Sequence, residues 1–379
     1  MSVPAHGLDW DLLLEMTERH SLVPFLYRAI GREPEFPAAF RQRLEARYQE
    51  SLRRNLFLTA ELLRLLDTFA AAGISVLPYK GPVLAQALYG DLGLRTFSDL
   101  DLLVRAADVP RAAHLLEDAG YRPDPPIGST VRPAQLRVAS EQMFRRAAGA
   151  ALVELQWQIA PSYFSVDFHI EWFWTTAVPV ILEARNVLSL APEPLLLALA
   201  VHGAKHQWER LVWVADVAHF VRRYPQFDWD SALSSARKLR IERLVLLAVA
   251  LAENLFAIEL PVHLRTRVAA DRVVPELCAA AERFLASQVR GVPGPAGHWF
   301  VLRARERWRD RWRYAVRLAL TPNPRDWAAL PLPAALAPLY FGLRPLRLLG
   351  RALRRGWRRL LGTAPAAASG EATEVVRRP

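Results

Sequence analysis

The sequence predicts an α+β protein: a small mixed sheet with flanking helices, preceded by N-terminal helices and followed by a larger C-terminal helical domain. Three observations carry this expectation. Apolar residues recur at helical steps through residue 72, including Leu56, Leu62, Leu63, Leu65, Leu66 and Phe69. Short β-type runs and acidic–apolar alternation are confined to residues 74–160. Beyond Pro161 the strand signal vanishes, and helical periods of ordinary length follow one another.

In chain order, residues 8–31 read as helix with a break near Ser21, and residues 36–72 as a longer helical region. Gly73 stops that region, because glycine tolerates the left-handed conformation common at a helix end. Residues 74–79 form a short strand, Gly81 a turn, and residues 82–89 a short helix opened by proline. Asp99-Leu-Asp-Leu-Leu-Val104 suits a strand with one face in a core and the other presenting carboxylates. Residues 108–119 are helical, with Asp108 as N-cap, Pro110 in the first turn and Gly120 as the stop. Residues 141–146 and 151–159 read as a hairpin joined by Ala147-Ala-Gly-Ala150. Helices are expected over 192–206, 211–223, 229–239, 241–256 and 301–320. The resulting division is 1–73 N-terminal helices, 74–160 α/β core, 161–343 helical domain, 344–361 basic amphipathic helix and 362–379 disordered tail.

Composition limits the function. The 379 residues contain one cysteine, Cys278, which excludes a disulfide scaffold or a cysteine-rich zinc site. The stretch 330–346 is short and interrupted by proline, so it does not span a membrane, and residues 1–9 lack a secretory pattern. A cytoplasmic protein, peripheral at a membrane at most, is the expectation. The net charge of +11 is unevenly placed: residues 301–379 hold 17 Arg against 5 acids, leaving the rest at −1. A balanced body argues against nucleic acid as a partner. Only Lys80, Lys205 and Lys238 are lysines among 49 basic residues. In so arginine-rich a chain, a retained lysine suggests a need for its compact ammonium.

The constellation that carries chemistry is Lys80-Gly81, then Arg95 to Val104, then Val153-Glu154-Leu155-Gln156-Trp157. Strand residues two apart share a face, so Asp99 and Asp101 project side by side. Close carboxylates repel, and a cation keeps both ionised. An oxygen-only donor set suits Mg²⁺, with Glu154 as third carboxylate if its strand lies beside the first. Such a set serves in-line phosphoryl or nucleotidyl transfer. Gly81 would let backbone approach a phosphate, with Lys80, Arg95 and the neighbouring Ser98 close to it. Asp-x-Asp alone is more often a solvated strand edge; the glycine turn and the later Glu strand make chemistry the stronger reading.

The stretch Pro78-Tyr-Lys-Gly-Pro to Ser-Asp-Leu-Asp-Leu-Leu-Val104 resembles the bacterial uncharacterised nucleotidyltransferase family of the polymerase-β-like superfamily. The segment His202-Gly-Ala-Lys-His-Gln-Trp to Asp216 is similar to its downstream helical motif. The resemblance implies a nucleotidyltransferase fold, Mg²⁺, an NTP donor, and Asp99, Asp101 and Glu154 as metal ligands. The acceptor it leaves open: a small molecule, or a peptide or protein. The chain departs from the pattern at Pro82, which lacks a backbone donor, in the longer gap from Gly81 to Asp99, and at Gln156, where the family often has His. A degenerate member that binds nucleotide or a partner without turnover is the alternative.

His202 and His206 share a helix face with Lys205, but Gly203 stands where a zinc protease needs Glu. Two readings are open. Both imidazoles pack in a helix interface with Asp216, or Lys205 and a histidine bind triphosphate or acceptor with Asp216 orienting them. The stretch 344–361 places Leu346, Leu349, Leu353, Trp357 and Leu360 among seven arginines. That pattern suits an anionic membrane surface or a protein partner, and equally a terminal helix packed on its own domain.

Overall fold

The computed structural model describes residues 8–126, 139–146, 151–287, 294–323, 326, 330, 332–336 and 338–360. Three helices come first: α1 (Trp10–Arg19), α2 (Val23–Ile30) and α3 (Ala38–Ala71). Asp9 caps α1 by accepting from the backbone of Asp11 and Leu12. The strands β1 (Leu77–Pro78), β2 (Leu100–Leu103), β3 (Tyr121–Pro123), β4 (Glu141–Arg146) and β5 (Leu152–Gln156) form one mixed sheet in the order β1-β2-β5-β4-β3. Only β2 and β5 run parallel; the other pairs are antiparallel. The expected strands over 141–146 and 151–159 do pair, although residues 147–150 lie outside the described residues.

Alternation along β2 and β5 divides the interior. Leu100, Leu102, Val153 and Leu155 face a core shared with α3 and with α5 (Val109–Asp118). Asp101, Leu103, Glu154 and Gln156 face the opposite way, where Leu103 joins the larger core of the helical region. That core is built on α7 (Pro192–Lys205), α8 (Leu211–Arg223), α9 (Trp229–Leu239) and α10 (Glu242–Phe256). The carboxylates therefore stand on the sheet face that the helical region covers.

The approach to β2 is held in place by α3. The chain from Gly90 to β2 crosses this helix, which grips it by its backbone. Asn55 donates to the carbonyls of Leu92 (2.7 Å) and Arg95 (2.9 Å), and Arg54 donates to that of Ser98 (3.1 Å). Ser51 and Thr96 exchange a hydroxyl contact at 3.1 Å.

Several expectations need correction. The strand over 74–79 shrinks to Leu77–Pro78, and β2 starts after Asp99 rather than at it. The helix after Gly81 is α4 (Gly81–Leu84), which widens into a π turn over Ala85–Tyr89. Asp108 caps nothing with its side chain and instead meets Arg111 at 3.2 Å. The sheet signal does not end at Pro161. After α6 (Ile170–Thr175), strands β6 (Val178–Leu182) and β7 (Arg185–Ser189) form a hairpin. Pro179 interrupts the first run, and the turn places Glu183 and Ala184 at positive φ, where hairpins usually carry Asn or Gly. The helix expected over 301–320 is two, α13 (Pro295–Ala304) and α14 (Trp308–Leu320), after α11 (Val262–Ala270) and α12 (Val274–Ala286). The buried Arg305 sits at the break, its carbonyl accepting from Arg243 and Arg311. The last helix, α15 (Leu339–Leu360), begins earlier than 344, and residues 361–379 lie outside the described residues.

Candidate active site

Asp101 and Glu154 are direct register partners across the parallel β2–β5 pair, so their side chains leave the sheet side by side. Gln156, two residues on, clamps both: its Nε2 donates to Asp101 Oδ1 and to Glu154 Oε2, each at 2.9 Å. The Gln156 side-chain carbonyl oxygen in turn accepts from the Tyr79 hydroxyl at 2.6 Å, which fixes the amide's orientation. The Lys80 ammonium reaches the same Asp101 oxygen at 2.7 Å. Asp99 enters from the loop just ahead of β2, and its side chain makes no hydrogen bond or ion pair among the described residues.

These groups open onto a cavity of about 490 Å³ between the sheet and the ends of α7 and α8. Its sheet side is Lys80, Gly81, Asp99, Asp101, Glu141 and Glu154, with Arg95 and Ser98 from the loop. Its helical side is His202, Lys205, His206, Glu209, Arg210 and Trp213. All the residues expected at the site from sequence thus border one space. Lys205 lies 4.0 Å from Glu141, a carboxylate that the hairpin register puts on the same face as Glu154.

Gly81 is required by its backbone. It adopts φ +56, which β-carbon-bearing residues avoid, and a Cβ there would lie 3.2 Å from the Asp99 carbonyl oxygen. The chain turns here so closely that the glycine turn and the acidic strand touch.

The site holds more negative charge than its cations cancel. Burial, and then the Asp101 charge, push the Glu154 carboxyl up to about 8. The same two causes, in the same order, raise Asp99. Lys80 keeps its proton well above the usual range: burial is the largest influence and opposes the charge, but Asp101, Tyr79 and Glu154 together outweigh it. The imidazoles go the other way. Burial drives His206 down to about 3, with Lys205 and Lys80 adding repulsion, and His202 falls well below its ordinary value for like reasons. Both rings are therefore neutral. They stand 4.8 Å apart, each against Trp213 at 5.0 and 5.2 Å. Gly203 between them is steric: a Cβ would meet the buried Trp208 ring at 2.5 Å.

Two roles read from the sequence change. Arg95 borders the cavity but its fork is taken by Asp216, with Nε to Oδ1 at 2.7 Å and Nη2 to Oδ2 at 2.9 Å. Asp216 also accepts from the Tyr89 hydroxyl at 2.6 Å, so it orients Arg95 and Tyr89 rather than Lys205 or the histidines. Arg95 is a buttress joining loop to helix. Sequence reasoning gave no role to Tyr79, Glu141 and Arg210, and the sequence reads Trp213 as a packing residue, whereas it borders the cavity. Glu141 was findable, since the hairpin pairing puts it in step with Gln156.

A metal fits by donor chemistry. Asp99, Asp101 and Glu154 offer oxygen donors only, the kind that Mg²⁺ takes. As it stands, one Asp101 oxygen is shared by Lys80 and Gln156, and among the described residues no three acidic, His or Cys side chains are gathered as a ready ligand cluster.

The uncharacterised nucleotidyltransferase family matches this chain over residues 6–257, which includes the sheet, the glycine turn and both helices bordering the cavity. The chain belongs to that family. No curated protein and no solved structure matches it. Membership assigns this nucleotidyltransferase-family protein a general nucleotidyltransferase role and leaves α11 to α15 outside the shared region. Among its described residues no helix is long and apolar enough to cross a membrane.

Proposed function

We propose that this protein is a Mg²⁺-dependent nucleotidyltransferase that moves a nucleoside monophosphate from an NTP to a hydroxyl or phosphate acceptor. The observation that carries the reading is the pairing of Asp101 with Glu154 beside Gly81, at the floor of a cavity that Lys80, Lys205 and Arg210 also border. Asp99, Asp101 and Glu154 would hold the metal, which when bound neutralises charge developing on the phosphates. Lys80 and Lys205, from opposite walls, bind the triphosphate, and the α7–α8 wall excludes water. The acceptor oxygen attacks the α-phosphorus; a P–O bond forms, the α–β bridging bond breaks, and pyrophosphate leaves with its electron pair. Glu154 either completes the metal site or takes the proton that the acceptor loses.

A second reading, a nucleotide-binding or interaction module without turnover, draws on the Lys80–Asp101 bridge and on Pro82, which offers no N–H next to the glycine. Calorimetry with ATP and GTP, with and without Mg²⁺, followed by incorporation of α-labelled nucleotide into a cell extract, separates the two. Metal-dependent binding with label transfer supports the transferase. Metal-independent binding without transfer, or no binding in any condition, supports the module and removes the transferase.

A further inference from the structure

The C-terminal helices α14 and α15, outside the family's shared region, bare two apolar rows that nothing in the described structure covers. On α14, Trp308 and Trp312 are four residues apart and 70% and 67% exposed. On α15, Leu346, Leu349 and Leu353 are 66%, 58% and 65% exposed and recur at steps of three and four. The helices form one corner of the molecule: they pack together, and Arg344 on α15 donates through Nε and Nη2 to the Leu318 carbonyl of α14 at 3.2 and 3.1 Å. Arg309 lies 5.6 Å from the centre of the Trp308 ring.

Charge decides what such a corner fits. Residues 301–379 carry 17 Arg against 5 acids, while the remainder of the chain is near neutral. A second copy of this chain would bring the same positive charge and be repelled. A nucleic-acid backbone would match the charge but has no use for exposed leucines in rows. Indole rings, leucine rows and arginines together match the boundary of an anionic bilayer, where the rings and leucines enter the acyl edge and guanidiniums stay with the headgroups. No described helix could span it, so the corner would lie on the surface.

We propose that α14 and α15 form a docking surface for an anionic lipid bilayer, which would hold the protein at a membrane. This inference stands whether or not the cavity transfers nucleotides.

The test is co-sedimentation of the full chain with vesicles of phosphatidylcholine alone and of phosphatidylcholine mixed with phosphatidylglycerol. Binding to the mixed vesicles, absence from neutral ones, and a blue shift of tryptophan emission are expected. The W308A/W312A and L346E/L349E variants should bind the mixed vesicles at least about tenfold more weakly, with melting temperature unchanged because these side chains are exposed. Mixed vesicles left unbound overturn the proposal. So do variants that bind as well as the wild type, since attraction would then be charge alone. Binding to heparin or RNA in place of the vesicles overturns it too, and points to a soluble polyanion.

Discussion

The Arg95 guanidinium lies fork to fork with the Asp216 carboxylate, and both side chains are almost wholly enclosed. The pair ties the loop before β2 to α8, and so fixes the distance between the acidic strand and the opposite wall of the cavity. Replacing Asp216 with Ala strands a buried cation, which costs about 3–5 kcal/mol. Urea unfolding of D216A should show this loss, with D216N, which still accepts hydrogen bonds, intermediate. An unchanged midpoint would mean that the pair holds nothing together.

Asp101 and Glu154 should respond differently to loss of charge. E154Q neutralises a carboxyl that burial already disfavours as an anion, so its melting temperature should hold or rise. Nucleotide incorporation by E154Q should fall at least about a hundredfold, the usual scale for losing a proton acceptor. D101N should lose incorporation and also about 1–3 kcal/mol of stability, because Lys80 is left with a weaker partner. Calorimetry beside the incorporation assay checks both variants.

Gly81→Ala should destabilise the fold by about 1–2 kcal/mol through its left-handed backbone. The contact with the Asp99 carbonyl also pushes the turn away from the strand, so NTP affinity should weaken in the same variant. A thermal melt and a binding isotherm measure the two effects separately.

The buried imidazoles predict an acid limit. His206 has its pKa lowered to about 3 from an ordinary 6.5, so between those values the unfolded chain binds the proton and the folded one does not. Stability is therefore fully present above about 6.5 and is lost as pH falls towards 3, by as much as about 1.4 kcal/mol per pH unit for this imidazole. H206Q should flatten that slope. Chemical denaturation across the range measures it, and an equal slope in H206Q would show that other groups carry the acid sensitivity.

The candidate site was legible in the sequence because its parts are local. The Asp-x-Asp spacing brings both acids to one cavity although Asp99 lies just ahead of β2, and Lys80-Gly81 marks a turn that only glycine makes. The pairing of Glu154 with Asp101 required knowing which strands are neighbours, and a parallel pair between β2 and β5 leaves no turn signature between them. Arg95 shows the limit most clearly. Its charge suggested a phosphate contact, but its partner Asp216 lies 121 residues away, and no spacing rule reveals that meeting. The β6–β7 hairpin escaped for a different reason: its strands alternate in burial, but Glu183 and Ala184 take turn positions that sequence normally marks with glycine.

The grip of α3 on the stretch between Leu92 and Ser98 has a thermodynamic consequence. Asn55 and Arg54 hold that stretch by its carbonyls, so one rim of the cleft is braced against α3 before anything arrives. An incoming molecule has little chain freedom left to freeze there, which spares its affinity the usual entropic penalty of ordering a loop.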